Sequence, residues 1–480
     1  MSKFETPLAT SQVAMEEIGY LIATARQAQK QYQTYTQEKV DDVCLAAGWA
    51  IMESGRNQQL AELAVKDTGL GNVPDKITKN YRKTLGLLRD LSDKKSVGVI
   101  AEYPELGIVE IARPVGVVAA ITPSTNPAAT PANNIINALK CRNAIIVAPS
   151  PKGMSTSALL LKFIHTELHR TGMPAAMAAS LVQMLPAPVS KESSHALMMQ
   201  ADLVVATGSQ ANVRAAYRSG TPAFGVGAGN VASIIDESAD LAEAVAKIIQ
   251  SKTFDNATSC SAENSIVVVN SVYNATLAEF SKRGGVLLDS IEKAQLQAAM
   301  WPNGRLASVM TAQSAALTAN RAGLLRTALG NAKVLLVEED GWGEGHPYSG
   351  EKLSPVLTVY RARDFQHAGE IVSCIYEYMG AGHSVSLHST IPERELELGL
   401  HLPVSRVIVN QAHSAATGGN FNNGLPFSLS MGCGTWGGNN FSTNMNYTHY
   451  MNVTRISRPI AEHIPSDEEI FGSYFKRYGR

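Results

Sequence analysis

The sequence predicts an α/β protein built on doubly wound parallel sheets, and three observations carry that prediction. From residue 143 to 208, apolar runs alternate with amphipathic stretches: "NAIIVAPS", "STSALLLKFIHTELHRTG", "SLVQMLP", "KESSHALMMQ" and "DLVVATG". A second series begins near residue 231 with "NVASIID", "ADLAEAVAKIIQS" and "NSIVVV". Between 98 and 113, and again in "YMNVTRI", the pattern changes to alternation of apolar and polar residues. Fully apolar strands linked by helices are covered on both faces, which is the situation of a parallel sheet. Period-two alternation instead marks strands with one wet face.

The elements follow in order. Residues 12–54 show helical spacing, as in "IGYLIATARQAQKQY" and "VDDVCLAAGWAIMES", and 60–92 continue it with a break at "GLGNVP". A β-hairpin is expected next, with its turn at 104–107, followed by a buried strand over 115–121. The helix after "NAIIVAPS" is ended by Gly172, and "SLVQMLP" reads as a strand throughout. Beyond Pro459 the acidic and aromatic segment "SDEEIFGSYFKRYGR" predicts a short surface or interface helix. With 480 residues and domains of roughly 100–200 residues each, two large domains with appendages are expected.

Composition narrows the class. Lys plus Arg number 41 against 42 Asp plus Glu, a formal net charge of −1. That balance argues against nucleic acid and against a membrane surface as partner, since both select a basic excess. The five cysteines are widely spaced, with no CxxC pair, which fits a reducing compartment. "MSKFETPLATSQ" lacks the basic and apolar regions of a secretion signal, and no apolar run is long enough to span a bilayer. The expectation is a soluble, cytoplasmic protein with no metal centre.

Two places invite chemistry. "VVATGSQANVRAAYRSG" reads as strand, turn and helix, so Gly208 and Ser209 stand where a helix N-terminus offers free N–H groups to a phosphate. An ordinary capped turn has the same pattern. Parallel sheets of this kind bind nucleotides at the carboxyl ends of their strands, which makes a Rossmann-like cofactor domain the natural reading. The second place is Cys260, in "TFDNATSCSAENS", a polar loop directly before an apolar strand. Free backbone amides there are expected to raise the thiolate fraction and to offer a donor to an oxyanion. Cys44 and Cys374 sit in apolar helical patterns, Cys141 follows a helix and Cys433 lies among glycines, so all four read as structural.

The Cys260 loop resembles the catalytic-cysteine loop of the aldehyde dehydrogenase superfamily. "ITPSTNPAATP", "GEKLSPVLTVY", "GAGHSVSLHS" and "MGCGTWGGNN" are similar to motifs of its CoA-acylating branch and occur in that branch's order. The likeness extends to the members that oxidise sulfoacetaldehyde, through "VVATGSQANVRAAY" and "NVTRISRP". The resemblance implies that Cys260 attacks an aldehyde carbonyl and that Asn126 donates a side-chain N–H to the oxyanion. It implies cofactor contacts at Thr122, Pro123, Ser150, Lys152, Gly208, Ser209 and Gly227, with Glu351 on the nicotinamide ribose. His383 lies where the branch carries a histidine, as an acid/base or CoA-contacting group; a structural histidine is equally compatible. Hydrolytic members carry a glutamate base in an E-L-G-G-K motif; the matching stretch here, "FGVGAGN", has Val226 at that position and no acid at all. Transfer to coenzyme A, rather than to water, is the consequence.

Ser150 and Lys152, without an acid nearby, favour NADP over NAD. The substrate expected is a small aldehyde, sulfoacetaldehyde first, with acetaldehyde, propanal or succinate semialdehyde as alternatives. The domains implied are dinucleotide-binding, 1–97 and 114–232; catalytic, 233–425; and an oligomerisation element of hairpin 98–113 with tail 443–480. A homodimer or homotetramer is expected.

Overall fold

The computed structural model describes residues 11–480, so most of the stretch read for an absent leader lies outside the described residues. Four helices come first: Gln12–Tyr32, Gln37–Met52, Ser54–Thr68 and Val73–Leu91. Their ends are written in the sequence. Ser11, Thr36 and Asn72 each cap a helix N-terminus through a side-chain oxygen, and Gly69 closes the third helix in the left-handed conformation. The "GLGNVP" break is therefore a C-cap followed at once by an N-cap.

The hairpin is β1 (Gly98–Tyr103) and β2 (Ile108–Pro114), and five parallel strands follow: β3 (Val117–Thr122), β4 (Ala144–Pro149), β5 (Val182–Met184), β6 (Leu203–Thr207) and β7 (Ala223–Val226). Their order is β5-β4-β3-β6-β7, so the chain winds outward one way from β3 and then returns to its other side. The reversal leaves a crevice at the carboxyl ends of β3 and β6. Two expectations need correction. "SLVQMLP" is not a strand throughout: a helix, Ala175–Leu181, takes its first two residues and β5 has three residues. The preceding "AAMAA" is alanine-rich, and its helix propensity carries the helix on to Leu181. The strand expected at 115–121 begins at 117, because Asn143 Oδ1 accepts from the amides of both Val115 and Gly116.

Seven parallel strands form the second sheet: β8 (Val231–Ile235), β9 (Glu263–Val269), β10 (Gly285–Leu287), β11 (Val334–Glu338), β12 (Val356–Ala362), β13 (Val385–His388) and β14 (Val407–Val409). The order is β10-β11-β12-β9-β8-β13-β14. Four residues, 227–230, separate β7 from β8. The chain thus leaves the carboxyl edge of the first sheet and enters the amino edge of the second almost at once, and that short bridge sets the two edges face to face. β15 (Met451–Ser457) adds to β2 antiparallel, making a three-stranded sheet in which β1 is an outer edge. The C-terminal helix is Asp467–Tyr478, with a capping box at Ser466 and Glu469. Among the described residues no helix is long and apolar enough to cross a membrane.

Candidate active site

Cys260, Glu351 and His383 lie far apart in the chain but share one structural position. Each precedes a strand of the second sheet, β9, β12 and β13 respectively. With β8 these strands are neighbours in the order β12-β9-β8-β13, so their amino ends converge where residues 227–230 cross between the sheets.

The Cys260 loop is built on a strained turn. Asp255, Asn256 and Ala257 all have positive φ (50°, 52° and 59°), a conformation costing a non-glycine residue about 1–3 kcal/mol each. Buried charge holds it. The Asp255 carboxylate is fully buried and accepts from Lys79 Nζ (2.6 Å), Lys76 Nζ (3.1 Å), Thr258 Oγ1 (2.7 Å) and the Asn72 amide (2.9 Å). Its own amide donates to Asp75 Oδ2 (2.7 Å). Burial pushes the Asp255 carboxyl up, but the Lys79 and Lys76 ammonium groups prevail and hold it below its usual range. A Cβ on Gly71 would stand 1.8 Å from Asp255 Oδ1, so the glycine of the helix break makes room for the carboxylate.

Cys260 is half-buried, with His383 Nε2 3.6 Å from its Sγ. The fully buried His383 has its other ring nitrogen 2.6 Å from Ser384 Oγ, and its carbonyl accepts from Arg406 (3.1 Å). A Cβ on Gly229 would fall 2.1 Å from the carbonyl oxygen of Cys260, so the glycine-rich crossing packs backbone to backbone on the cysteine loop. The expectation that this loop raises the thiolate fraction is overturned. Burial, then the Glu351 carboxylate and Cys433, push the Cys260 thiol up to about 12, and its own backbone N–H and Arg406 oppose them only in part. These surroundings favour the protonated thiol at neutral pH. Alkylation of Cys260 by iodoacetamide is expected to rise about tenfold per pH unit from pH 6 to 9, since the thiolate fraction does; stopped-flow labelling followed by peptide mass mapping reads this directly.

His383 is pushed down to about 3, by burial first and then by Arg406 and His413. It is neutral at physiological pH and lies within hydrogen-bonding reach of the Cys260 sulfur. Glu351 is pushed up to about 8, chiefly by burial, against the Gly229 amide and the Lys252 and Lys352 ammonium groups. Its Oε1 is buried with no partner among the described residues.

The remaining predicted residues gather at the carboxyl ends of the first sheet. Ser150 donates its amide to the Thr122 carbonyl (3.1 Å), joining the ends of β3 and β4. Thr122 Oγ1 is buried with no hydrogen-bond partner among the described residues. Gly208, at φ +146°, turns the chain past Pro123, and Ser209 caps the helix Gln210–Arg218 by accepting from the Asn212 amide (3.3 Å). An orphaned hydroxyl, a glycine turn and a helix N-terminus at a sheet switch point fit a dinucleotide. Gly227 packs on Gln210, where a Cβ would lie 2.3 Å from Nε2, and Val226 is buried at the end of β7. Lys152 stands apart, exposed on the turn Pro151–Gly153. Asn126, in the loop between β3 and the helix Ala129–Lys140, accepts at Oδ1 from Lys79 Nζ (2.8 Å). The Thr207 and Ser430 hydroxyls (2.7 Å) and the Gly227 amide, which donates to Cys433, tie this edge to the segment 430–433.

Sequence reasoning missed Arg406, Cys433, Lys79 and Asp255. Arg406 is buried and bonded to the carbonyls of His383, Gly432 and Ser442 and to Asn444 Oδ1. No local signal marks it. The lysine pair at i and i+3 on the helix Val73–Leu91 was visible as spacing, but its partner lies 176 residues away.

The sequence matches the description "Aldehyde dehydrogenase family" over residues 5–309. It is 64% identical to the sulfoacetaldehyde dehydrogenase (acylating) of Cupriavidus necator over 474 residues, covering 99% of this chain and 95% of that protein. It is 41% identical to the protein of the same description from Bilophila wadsworthia, covering 97% and 100%. The crystal structure of an acetylating aldehyde dehydrogenase from Geobacillus thermoglucosidasius superposes with a TM-score of 0.89 at 33% identity, over 95% of this chain and 99% of that one. The likeness spans nearly the whole of both chains, and the chain belongs to the acylating branch of the aldehyde dehydrogenase family.

Proposed function

We propose that this protein oxidises sulfoacetaldehyde to sulfoacetyl-CoA, with NADP, or alternatively NAD, as oxidant and coenzyme A as acyl acceptor. Cys260 Sγ attacks the carbonyl carbon, the π pair moves to oxygen, and the thiol proton passes to His383 Nε2. Asn126 Nδ2 and the Cys260 backbone N–H donate to the oxyanion. NADP, when bound, would supply the hydride acceptor; we assign Thr122, Pro123, Ser150, Lys152, Gly208, Ser209 and Gly227 to holding it and Glu351 to its nicotinamide ribose, with Lys152 reaching in from its exposed turn. Loss of hydride leaves an acyl thioester on Cys260. The coenzyme A thiol then attacks the acyl carbon, the Cys260 sulfur leaves and takes up the proton given by that thiol, and the proton held on His383 is lost to solvent.

One observation carries the choice of acceptor. The segment packed on the Cys260 carbonyl, residues 226–230, contains no carboxylate. Burial pushes the Glu351 carboxyl beside it up to about 8, and a neutral carboxyl is no base for water. The 64% identity to an acylating sulfoacetaldehyde dehydrogenase supports the substrate. The test is NADPH production by purified protein with sulfoacetaldehyde, acetaldehyde, propanal or succinate semialdehyde, with and without coenzyme A. Turnover is expected only with the thiol present and highest kcat/KM with sulfoacetaldehyde. Release of free acid at equal rate without coenzyme A would establish the hydrolytic alternative.

The same reading assigns residues 1–97 and 114–232 to cofactor binding, 233–425 to catalysis, and 98–113 with 443–480 to contact between copies in a homodimer or homotetramer. The open edge at β1 and the exposed Val99, Tyr103, Leu106, Ile456 and Ile460 support that last assignment. Five free cysteines support a cytoplasmic setting.

A further inference from the structure

Lys79 is buried between the two arms of the proposed chemistry. Its ammonium donates to Asn126 Oδ1 (2.8 Å), to Asp255 Oδ2 (2.6 Å) and to Thr258 Oγ1 (2.9 Å). An ammonium has three N–H donors and no acceptor, so these bonds use all of its capacity. They also settle which way the Asn126 amide lies. Only the oxygen of an amide can face an ammonium, so Nδ2 is turned to the other side. There its one bond is a long one, 3.4 Å to the neighbouring Thr125 hydroxyl, which leaves it available.

Lys76 reinforces the arrangement, bonding the Thr125 carbonyl (3.1 Å) and the same Asp255 oxygen (3.1 Å). A single helix, Val73–Leu91, thereby grips the Asn126 loop and the left-handed turn that leads to Cys260. The two loops come from different sheets, and no strand pairing holds one against the other.

We infer that Lys79 is a positioning residue: it fixes the amide of Asn126 with Nδ2 towards the reacting carbonyl and holds that amide in register with the Cys260 turn. The inference rests on the reading of Asn126 as an oxyanion donor. Without the ammonium the amide turns freely, and its oxygen competes for the place where negative charge develops. The loss should fall on kcat, because the donor acts mainly after attack begins.

The experiment compares Lys79→Met, Asn126→Ala and the double variant for kcat, for KM of the aldehyde, and for the rate at which iodoacetamide alkylates Cys260. Removing one oxyanion donor costs roughly 10²–10³-fold in kcat, and losing its orientation should cost about 10–10²-fold. The expected result is that loss in Lys79→Met, with KM changed less than about threefold, alkylation unchanged, and a double variant no slower than Asn126→Ala. If Asn126→Ala loses activity but Lys79→Met does not, or if the two losses multiply, the positioning role is overturned and the oxyanion reading stands. If Asn126→Ala itself retains full kcat, the oxyanion reading fails and the inference with it. Lys79→Met strands a buried carboxylate, so Lys79→Met with Asp255→Asn, compared with Asp255→Asn alone, is the companion should the single variant melt early; the same non-additivity with Asn126→Ala is expected, and additivity overturns the inference.

Discussion

Replacing Cys260 by serine is expected to lower acyl-CoA formation by at least about 10³-fold while leaving the melting temperature within about 2 °C. The exchange is nearly isosteric, and Cys260 is only half-buried, so packing changes little. The chemistry changes completely. A hydroxyl is much harder to ionise than even this thiol, which burial and Glu351 already push up to about 12. Hydride loss would also leave an ester rather than a thioester, and an ester is a poorer acyl donor to the thiol of coenzyme A. The measurement is sulfoacetyl-CoA formed over hours, with circular dichroism melting as the control. Retained synthesis would place the nucleophile elsewhere, and none of the other four cysteines combines partial exposure with a histidine beside it.

Asn126→Ala carries the second large effect, roughly 10²–10³-fold in kcat, equivalent to about 2.7–4 kcal/mol of barrier. Its partner variant sharpens the reading. Asn126→Asp keeps an oxygen for the Lys79 ammonium, 2.8 Å away in the parent, but replaces the Nδ2 donor by an oxygen. If donation to an oxyanion is the role, aspartate should be no better than alanine. If the side chain merely anchors its loop to Lys79, aspartate should restore most of the activity. Single-turnover hydride transfer, read as NADPH absorbance, separates the two.

The pKa pattern bears on how the two thiols of the reaction are handled. A protonated Cys260 beside a neutral His383 is a pair held in reserve: the imidazole can take a proton but carries none to give at neutral pH. Protonated Glu351 is in turn no base towards water. On the proposed reading no carboxylate base serves water here, whereas the thiol of coenzyme A is acidic enough to need less help.

Much of this protein was determined locally. The two strand–helix series, the hairpin, the capped break at 69–72 and the loop before β9 follow from hydrophobic period, glycine and capping residues within a few positions of each element. The early helix in "SLVQMLP" was misread because a short apolar run fits helix and strand alike, and the alanines before it tipped the balance. Cys260 stood out in the sequence because a reactive loop before an apolar strand is itself a local arrangement. What only the tertiary structure decided are the meetings: Cys260 with His383, 123 residues away, and Lys79 with Asp255 and Asn126. Sheet order brought the amino ends of β9 and β13 to either side of β8, and burial then changed the chemistry of what met there. A thiol that looks activated among free amides is pushed towards its protonated form by burial, because desolvation acts on three-dimensional surroundings that no stretch of neighbouring residues encodes.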